Sequence, residues 1–250
     1  MKRLIICAAL LGACSQEADV VPPAEPAPVS LPVADQAGNR MEALTQTGSR
    51  WCTADGAWCV ESTEAGASSV HGATTLALGP PVGSDVWPNI IRNADGSVVV
   101  GFIRRENQMF SGGGAETSEL LLYSIANGAA QEVGVLPYSG AVSIRACFSE
   151  EHTRNRRDAC HDEYDFATRI SLNEGAVSGA AQILLETAAT TFPGRVSRNE
   201  DSTERAPLQA SDLVRWVDAA CSYRRTYIRG AGGRYAPDEP LPDCSQYLEP

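Results

Sequence analysis

The stretch Trp51-Cys52-Thr53-Ala54-Asp55-Gly56-Ala57-Trp58-Cys59-Val60 reads as two short β-favouring runs facing each other across an Asp-Gly reversal. Aromatic and branched residues suit a pleated, half-buried surface, and Gly supplies the left-handed backbone that a tight hairpin requires. Two loop lengths satisfy the pattern. A two-residue loop sets Cys52 opposite Cys59 as a hydrogen-bonded pair, whereas a four-residue loop, Ala54 to Ala57, makes them a non-hydrogen-bonded pair with closer α-carbons. Both lie within disulfide reach, and the shorter distance favours the four-residue loop.

The same grammar repeats outward from this hairpin. Val86 to Arg92 runs across Asn93-Ala94-Asp95-Gly96 into Ser97 to Ile103, and Glu119 to Ser124 runs across Asn127-Gly128 into Gln131 to Val135. A fourth hairpin runs from Ser222 to Arg229 across Gly230 to Gly233 into Arg234-Tyr235. Tyr164 to Leu172 and Gln182 to Phe192 read as further strands, although Ala180 to Ala189 also suits a helix. Ser211 to Ala220 is ambiguous in the same way, with Leu213, Trp216, Val217 and Ala220 at helical spacing behind a Ser211 cap. Ser111-Gly112-Gly113-Gly114 reads as a flexible loop without the spacing of a phosphate-binding loop. The expected fold is mainly β: a single meandering antiparallel domain over residues 49–250, propeller-like or a sandwich, stapled by local disulfides. A chain of about 200 residues suffices for one core. The hairpins are too dissimilar to count as a sequence repeat.

Six cysteines lie in this body, Cys52, Cys59, Cys147, Cys160, Cys221 and Cys244, as three local pairs separated by long gaps. In an oxidising compartment an even set reads as disulfides, and 15 connectivities are formally open. Local clustering predicts Cys52–Cys59, Cys147–Cys160 and Cys221–Cys244, closing rings of 8, 14 and 24 residues. Loop-closure entropy assigns them about 2.5, 3 and 3.5 kcal/mol as upper figures. A zinc reading of Cys147, His152, Cys160 and His161 competes, but the spacing fits no common site, and neighbours on an extended chain point apart. Asp158, Asp162, Glu163 and Asp165 lack an EF-hand spacing for Ca²⁺ and read as a solvated acidic loop that neutralises Arg154, Arg156 and Arg157. No metal or cofactor is expected.

At the amino terminus, Lys2 and Arg3 precede the apolar run Leu4 to Leu11 and the tetrapeptide Leu11-Gly12-Ala13-Cys14. Eight apolar residues are too few for a span that takes about 20, so the segment reads as a signal peptide. The tetrapeptide resembles the bacterial lipoprotein lipobox. That resemblance implies a signal peptide over residues 1–13, cleavage before Cys14, and acylation there by three chains, which exceeds the marginal hold of a single one. Ser15, where Asp would imply inner-membrane retention, points to the outer membrane facing the periplasm. Residues 14–48 then form the lipidated terminus and a linker rich in Pro and Ala, with Pro22, Pro23, Pro26, Pro28 and Pro32 among small and polar residues. Such a composition reads as disordered, its 34 residues from Ser15 to Gly48 spanning roughly 30 Å. A short amphipathic element around Met41 to Leu44 is compatible with it.

Without Lys2 and Arg3 the chain carries 18 basic and 31 acidic residues, a formal charge of −13. That balance excludes nucleic acid, whose backbone demands a basic footprint, and favours a basic protein or envelope component as partner. Lys2 is the only lysine, and with the arginines scattered along the chain this reads as GC-rich coding rather than as a selective use of guanidinium. No nucleophile elbow, zincin helix, Walker loop or dinucleotide fingerprint occurs. His71, set among Ser, Ala and Gly, reads as an exposed loop residue. The expected function is therefore that of a non-enzymatic cell-envelope lipoprotein, a binding domain anchored to the membrane at Cys14. The alternative is an envelope hydrolase using paired Asp and Glu carboxylates. Under the lipoprotein reading, Cys14→Ser abolishes incorporation of radiolabelled palmitate; equal labelling of mutant and wild type refutes it.

Overall fold

The computed structural model describes residues 34–64, 66–71 and 74–249. Cys14 and the signal segment lie outside the described residues. The first elements are β1 (Arg40–Ala43), β2 (Thr45–Thr47), β3 (Arg50–Cys52), β4 (Trp58–Thr63), β5 (Gly66–His71) and β6 (Thr74–Leu78). They are followed by β7 (Asp85–Arg92), β8 (Val98–Phe110), β9 (Gly113–Ala126), β10 (Ala129–Arg145), α1 (Glu150–Asn155), β11 (His161–Leu172) and β12 (Ile183–Phe192). The chain ends in β13 (Trp216–Val217), β14 (Arg224–Arg229), β15 (Tyr235–Pro237) and α2 (Ser245–Leu248). Every ladder between these strands is antiparallel.

The expected mainly β meander is present. The large sheet runs β1-β7-β8-β9-β10-β11-β12-β14-β15, with β13 also on β12, and β2-β3-β4-β5-β6 form a second sheet in sequence order. The smaller sheet is thus an insertion between β1 and β7. Its reason is visible in the centre of the large sheet. Val98, Val100, Phe102, Leu121, Tyr123 and Ile125 pack against Trp58, Val60 and Ala67 of the small sheet. On the alternate positions, Trp87, Ile91, Val99, Ile103, Leu120 and Leu122 pack with Ile170, Leu172, Ile183, Leu185, Tyr227 and Tyr235. The large sheet therefore curls so that its two halves share a core, and the smaller sheet covers the outer side of β7 to β9. Strands buried on both faces explain the largely apolar runs Val98 to Ile103 and Leu120 to Ile125, interrupted in the second by the buried Ser124, which lack simple alternation. Each fully buried Ile, Leu or Phe here contributes about 1.5–3 kcal/mol of transfer free energy.

The hairpins follow their turn residues. Thr53 N donates to Trp58 O, so the first loop is the four residues Ala54 to Ala57, and Cys52 pairs with Cys59 at a Cα separation of 4.1 Å. Asp55 in that loop accepts from Thr53 Oγ1, Ala57 N and Arg92 Nη2, which together hold its carboxyl down at about 2. Arg92 also donates to Glu42 of β1, tying the small-sheet hairpin to two strands of the large sheet. Asn127 and Gly128, at φ of 51° and 74°, form the two-residue turn between β9 and β10.

Several expectations need correction. The sequence from Ala34 to Gly48 belongs to the sheets and not to the linker: Ala34 bridges Arg40, and β1 and β2 follow, with Met41 and Leu44 buried in the two cores. Gly113 and Gly114 are strand residues of β9, and the expected glycine loop shrinks to Ser111-Gly112, because Phe110 pairs directly with Gly113. Backbone of Ser143 would lie 1.8 Å from any Cβ at Gly113, so glycine here serves close approach rather than flexibility. Ala180 to Ala189 forms no helix; its Ile183 to Ala189 portion lies in β12. Ser211 to Ala220 holds only the end of a 3₁₀ turn over Ala210–Asp212 and the two residues of β13, since Trp216 is drawn into the sheet beside Thr191.

The carboxyl-terminal tail is held by more than its disulfide. Tyr247 is fully buried, edge-on to Tyr164 at 6.2 Å, and its hydroxyl donates to Asp218 at 3.0 Å. Its carbonyl lies 2.0 Å from where a Cβ at Gly140 would stand, so β10 must present a glycine for α2 to dock. Gly140→Ala is expected to release residues 238–249 to limited proteolysis while Cys221–Cys244 stays intact, and Tyr247→Ala to cost about 3–5 kcal/mol, as truncation of a buried aromatic does. Unchanged cleavage of the Gly140→Ala protein contradicts the docking argument.

Candidate functional site

The residues singled out in the sequence fall into separate places. The disulfides are Cys52–Cys59, Cys147–Cys160 and Cys221–Cys244, with Cα separations of 4.1, 4.9 and 5.7 Å. The sulfurs of Cys147 and Cys160 are thus bonded to each other and do not serve a metal. His152 lies on α1, where its Nδ1 accepts from Phe148 N at 3.3 Å, and His161 is exposed at the start of β11 opposite Arg145. Among the described residues no group of three or more His, Cys, Asp or Glu side chains is arranged to hold a metal ion. His71 is not in a loop; it is an exposed strand residue opposite Trp58, and the two rings stack at 4.2 Å with 8° between planes.

The acidic run after Arg157 is likewise not a solvated loop. Asp162, Glu163 and Asp165 are residues of β11, and only Asp158 of the four is fully outside the strand and exposed. Glu163 and Asp165, pointing to one side, both bind Arg215. Asp162, on the other side, forms an ion pair with Arg156 in which both side chains are only 5% exposed. The Arg156 Nε donates to Ala159 O at 2.9 Å, and Ser202 Oγ donates to the second oxygen of Asp162. This network pins the long segment between β12 and β13 to the end of α1, aided by Leu208 N donating to Asn155 O at 2.8 Å.

A concave site lies elsewhere, as a cleft of about 470 Å³ with β8 and β9 on one side and β10, Tyr223 and the tail on the other. One wall is polar. Arg104 of β8 faces Glu119 of β9 across the ladder and donates to it through Nη2, while its Nε lies 3.9 Å from Glu106. Glu119, and to a lesser degree Glu106, hold the Arg104 guanidinium charged beyond its ordinary range. Thr117 and Ser118 complete this wall, and Ser118 shares a hydrogen bond of 2.6 Å with Ser139. The other wall is apolar, with Val135, Pro137, Leu241, Pro242 and Leu248. Burial raises the Tyr223 hydroxyl pKa above its usual value.

The cleft lies where β10 changes register, between Pro137 and Ser139. A bulge of this kind bends its strand and re-aims side chains. Tyr138, the extra residue, packs against the core. Pro137 has no N–H to offer the ladder. One signal in the sequence points toward this site. Reading Ser111-Gly112 as a two-residue turn and counting outward from Phe110 and Gly113 puts Arg104 opposite Glu119. The apolar wall has no local signal, because Leu241 and Leu248 reach the cleft through long-range attachments of the tail, the Cys221–Cys244 bridge and the docking of Tyr247.

Chemically, two carboxylates share one guanidinium, so these three groups carry a net charge of −1. The hydroxyl groups of Thr117, Ser118 and Tyr223 have no imidazole beside them in the lining. The arrangement suits recognition of a cationic or hydrogen-bond-donating group attached to an apolar body. Comparison with protein-family models, with curated proteins and with solved structures finds no match to this chain.

The buried ion pair yields a stability test. Asp162→Ala leaves Arg156 desolvated and unpaired, a change expected to cost about 3–5 kcal/mol, whereas replacing both by leucine restores most of it. Urea unfolding midpoints measure both. A double variant no better than the single one sinks the assignment.

Proposed function

We propose that the chain is a cell-envelope lipoprotein, anchored through Cys14 in the outer membrane and facing the periplasm, whose domain binds a basic, partly apolar segment of an envelope partner in the cleft beside Arg104. The observation that carries the reading is the division of that cleft into a wall where Glu106 and Glu119 outnumber Arg104 and a wall of Val135, Pro137, Leu241 and Leu248. Concave sites of this mixed kind are the usual form of binding sites. The formal charge of −13 on the chain without Lys2 and Arg3 would steer a basic partner toward it. The three disulfides fit a compartment outside the reducing cytosol, which agrees with export.

Binding is favoured over hydrolysis because Glu119 is engaged with Arg104 and is not set opposite a second free carboxylate. A photo-crosslinking residue at Leu241 of the full chain, in cells, is expected to trap one partner through a basic segment, and Glu119→Arg to remove that adduct. The same residue at Val177, exposed and outside the cleft, gives the background. Equal adducts from both positions refute the cleft. Turnover of peptidoglycan, glycan or ester substrates that Glu119→Gln abolishes replaces binding with the hydrolase.

A further inference from the structure

The segment between β12 and β13 is 23 residues long, Pro193 to Arg215, with a single 3₁₀ turn, yet it is tied down at several points. Gly194 N donates to Val214 O at 2.9 Å, Leu208 N donates to Asn155 O, and Ser202 joins the buried Arg156–Asp162 pair. Long irregular segments inside a compact domain are uncommon and tend to carry function. A buried ion pair is weak as a source of stability, since desolvation offsets most of the Coulomb attraction. What this one supplies is position.

The segment that it positions encloses a second cleft, of about 570 Å³, lined in part by Pro193, Arg195, Arg205, Leu208 and Trp216. The Arg195 guanidinium lies 4.9 Å over the ring of Trp216, is exposed, and forms no ion pair with a carboxylate among the described residues. Arg205 donates through Nη1 to the Arg195 carbonyl at 3.1 Å, which fastens its side chain to the Arg195 backbone, and among the described residues its carboxylate partner is Glu200 at 3.3 Å. The third arginine of the lining, Arg156, is neutralised by Asp162. Asp212, also in the lining, accepts from Gln209 N at 2.7 Å. The cleft therefore presents an exposed guanidinium, that of Arg195, that no carboxylate among the described residues neutralises.

We propose that this cleft binds an acidic saccharide, with the sugar carboxylate on Arg195 and Arg205 and the ring against Trp216. Guanidinium forks match carboxylate geometry in two parallel hydrogen bonds. Sugar hydroxyls need both donors and acceptors, and Gln209, Ser211 and Asp212 line the same cleft. The apolar floor of Pro193 and Leu208 suits the C–H face of a pyranose. This site is separate from the cleft beside Arg104 and does not rest on the function proposed for it.

The test is calorimetric titration of the full-length chain, in detergent micelles, with tri-galacturonate, maltotriose and inorganic phosphate. Tri-galacturonate is expected to bind with a dissociation constant below about 1 mM, the weak end of specific recognition. Arg195→Ala and Arg205→Ala should each weaken it at least about tenfold, as loss of a charged hydrogen bond does, and Trp216→Ala should weaken it while near-ultraviolet circular dichroism outside the Trp216 band is preserved. Arg195→Lys, which keeps the charge but not the fork, should fall between. Absence of tri-galacturonate binding, equal affinity for maltotriose or phosphate, or affinity unchanged in both Arg195→Ala and Trp216→Ala overturns the proposal.

Discussion

Everything in this fold answers to the requirement that β7, β8 and β9 be covered on both faces. Their side chains are apolar at odd and even positions alike, so a sheet with one wet face would expose half of them. The chain solves this twice over. It detours after β1 to build a five-stranded sheet against one side, then continues the large sheet until its far strands curl over the other. Gly101 shows how tight the second packing is, because a Cβ there would meet Leu120 at 2.8 Å and Trp87 at 3.0 Å.

Local turn chemistry made much of this legible. Asp55-Gly56, Asp95-Gly96 and Asn127-Gly128 mark hairpins whose partners are close in sequence, and local pairing also accounts for all three disulfides in the described chain. What escaped was decided by distant partners. β1 is four residues long with Met41 as its one fully buried side chain, too little periodicity to distinguish it from the proline-rich segment before it. Trp216 suggested a helix by spacing because the strand it joins, β12, is a different part of the chain. Gly140 lies beyond the strand read from Gln131 to Val135, and its role shows only once Tyr247 is placed on it.

The two clefts share one logic. Each is formed where regular sheet gives way to an irregular segment, and each irregular segment is fastened by a small buried network: Tyr247 with Asp218 and Gly140 in the tail, Arg156 with Asp162 and Ser202 in the long connection. The sheet provides rigidity, and the fastened segments provide the variable wall. Their charge characters differ, one cleft presenting carboxylates around an arginine and the other an arginine relieved of carboxylates.

The position of β1 has a mechanical consequence. It is the first strand of the large sheet in the chain, paired through four residues to β7, with Met41 inserted in the core. Under the proposed anchorage at Cys14, any tension between membrane and domain enters through that ladder before it reaches β7. A short edge strand held by few backbone bonds yields at lower force than the long ladders of β8 to β10 behind it. Under that proposed anchorage β1 would act as a fuse: it would set the load at which the domain begins to part from its anchor side, and its loss would bare both the Met41 pocket and the seam beside Leu44.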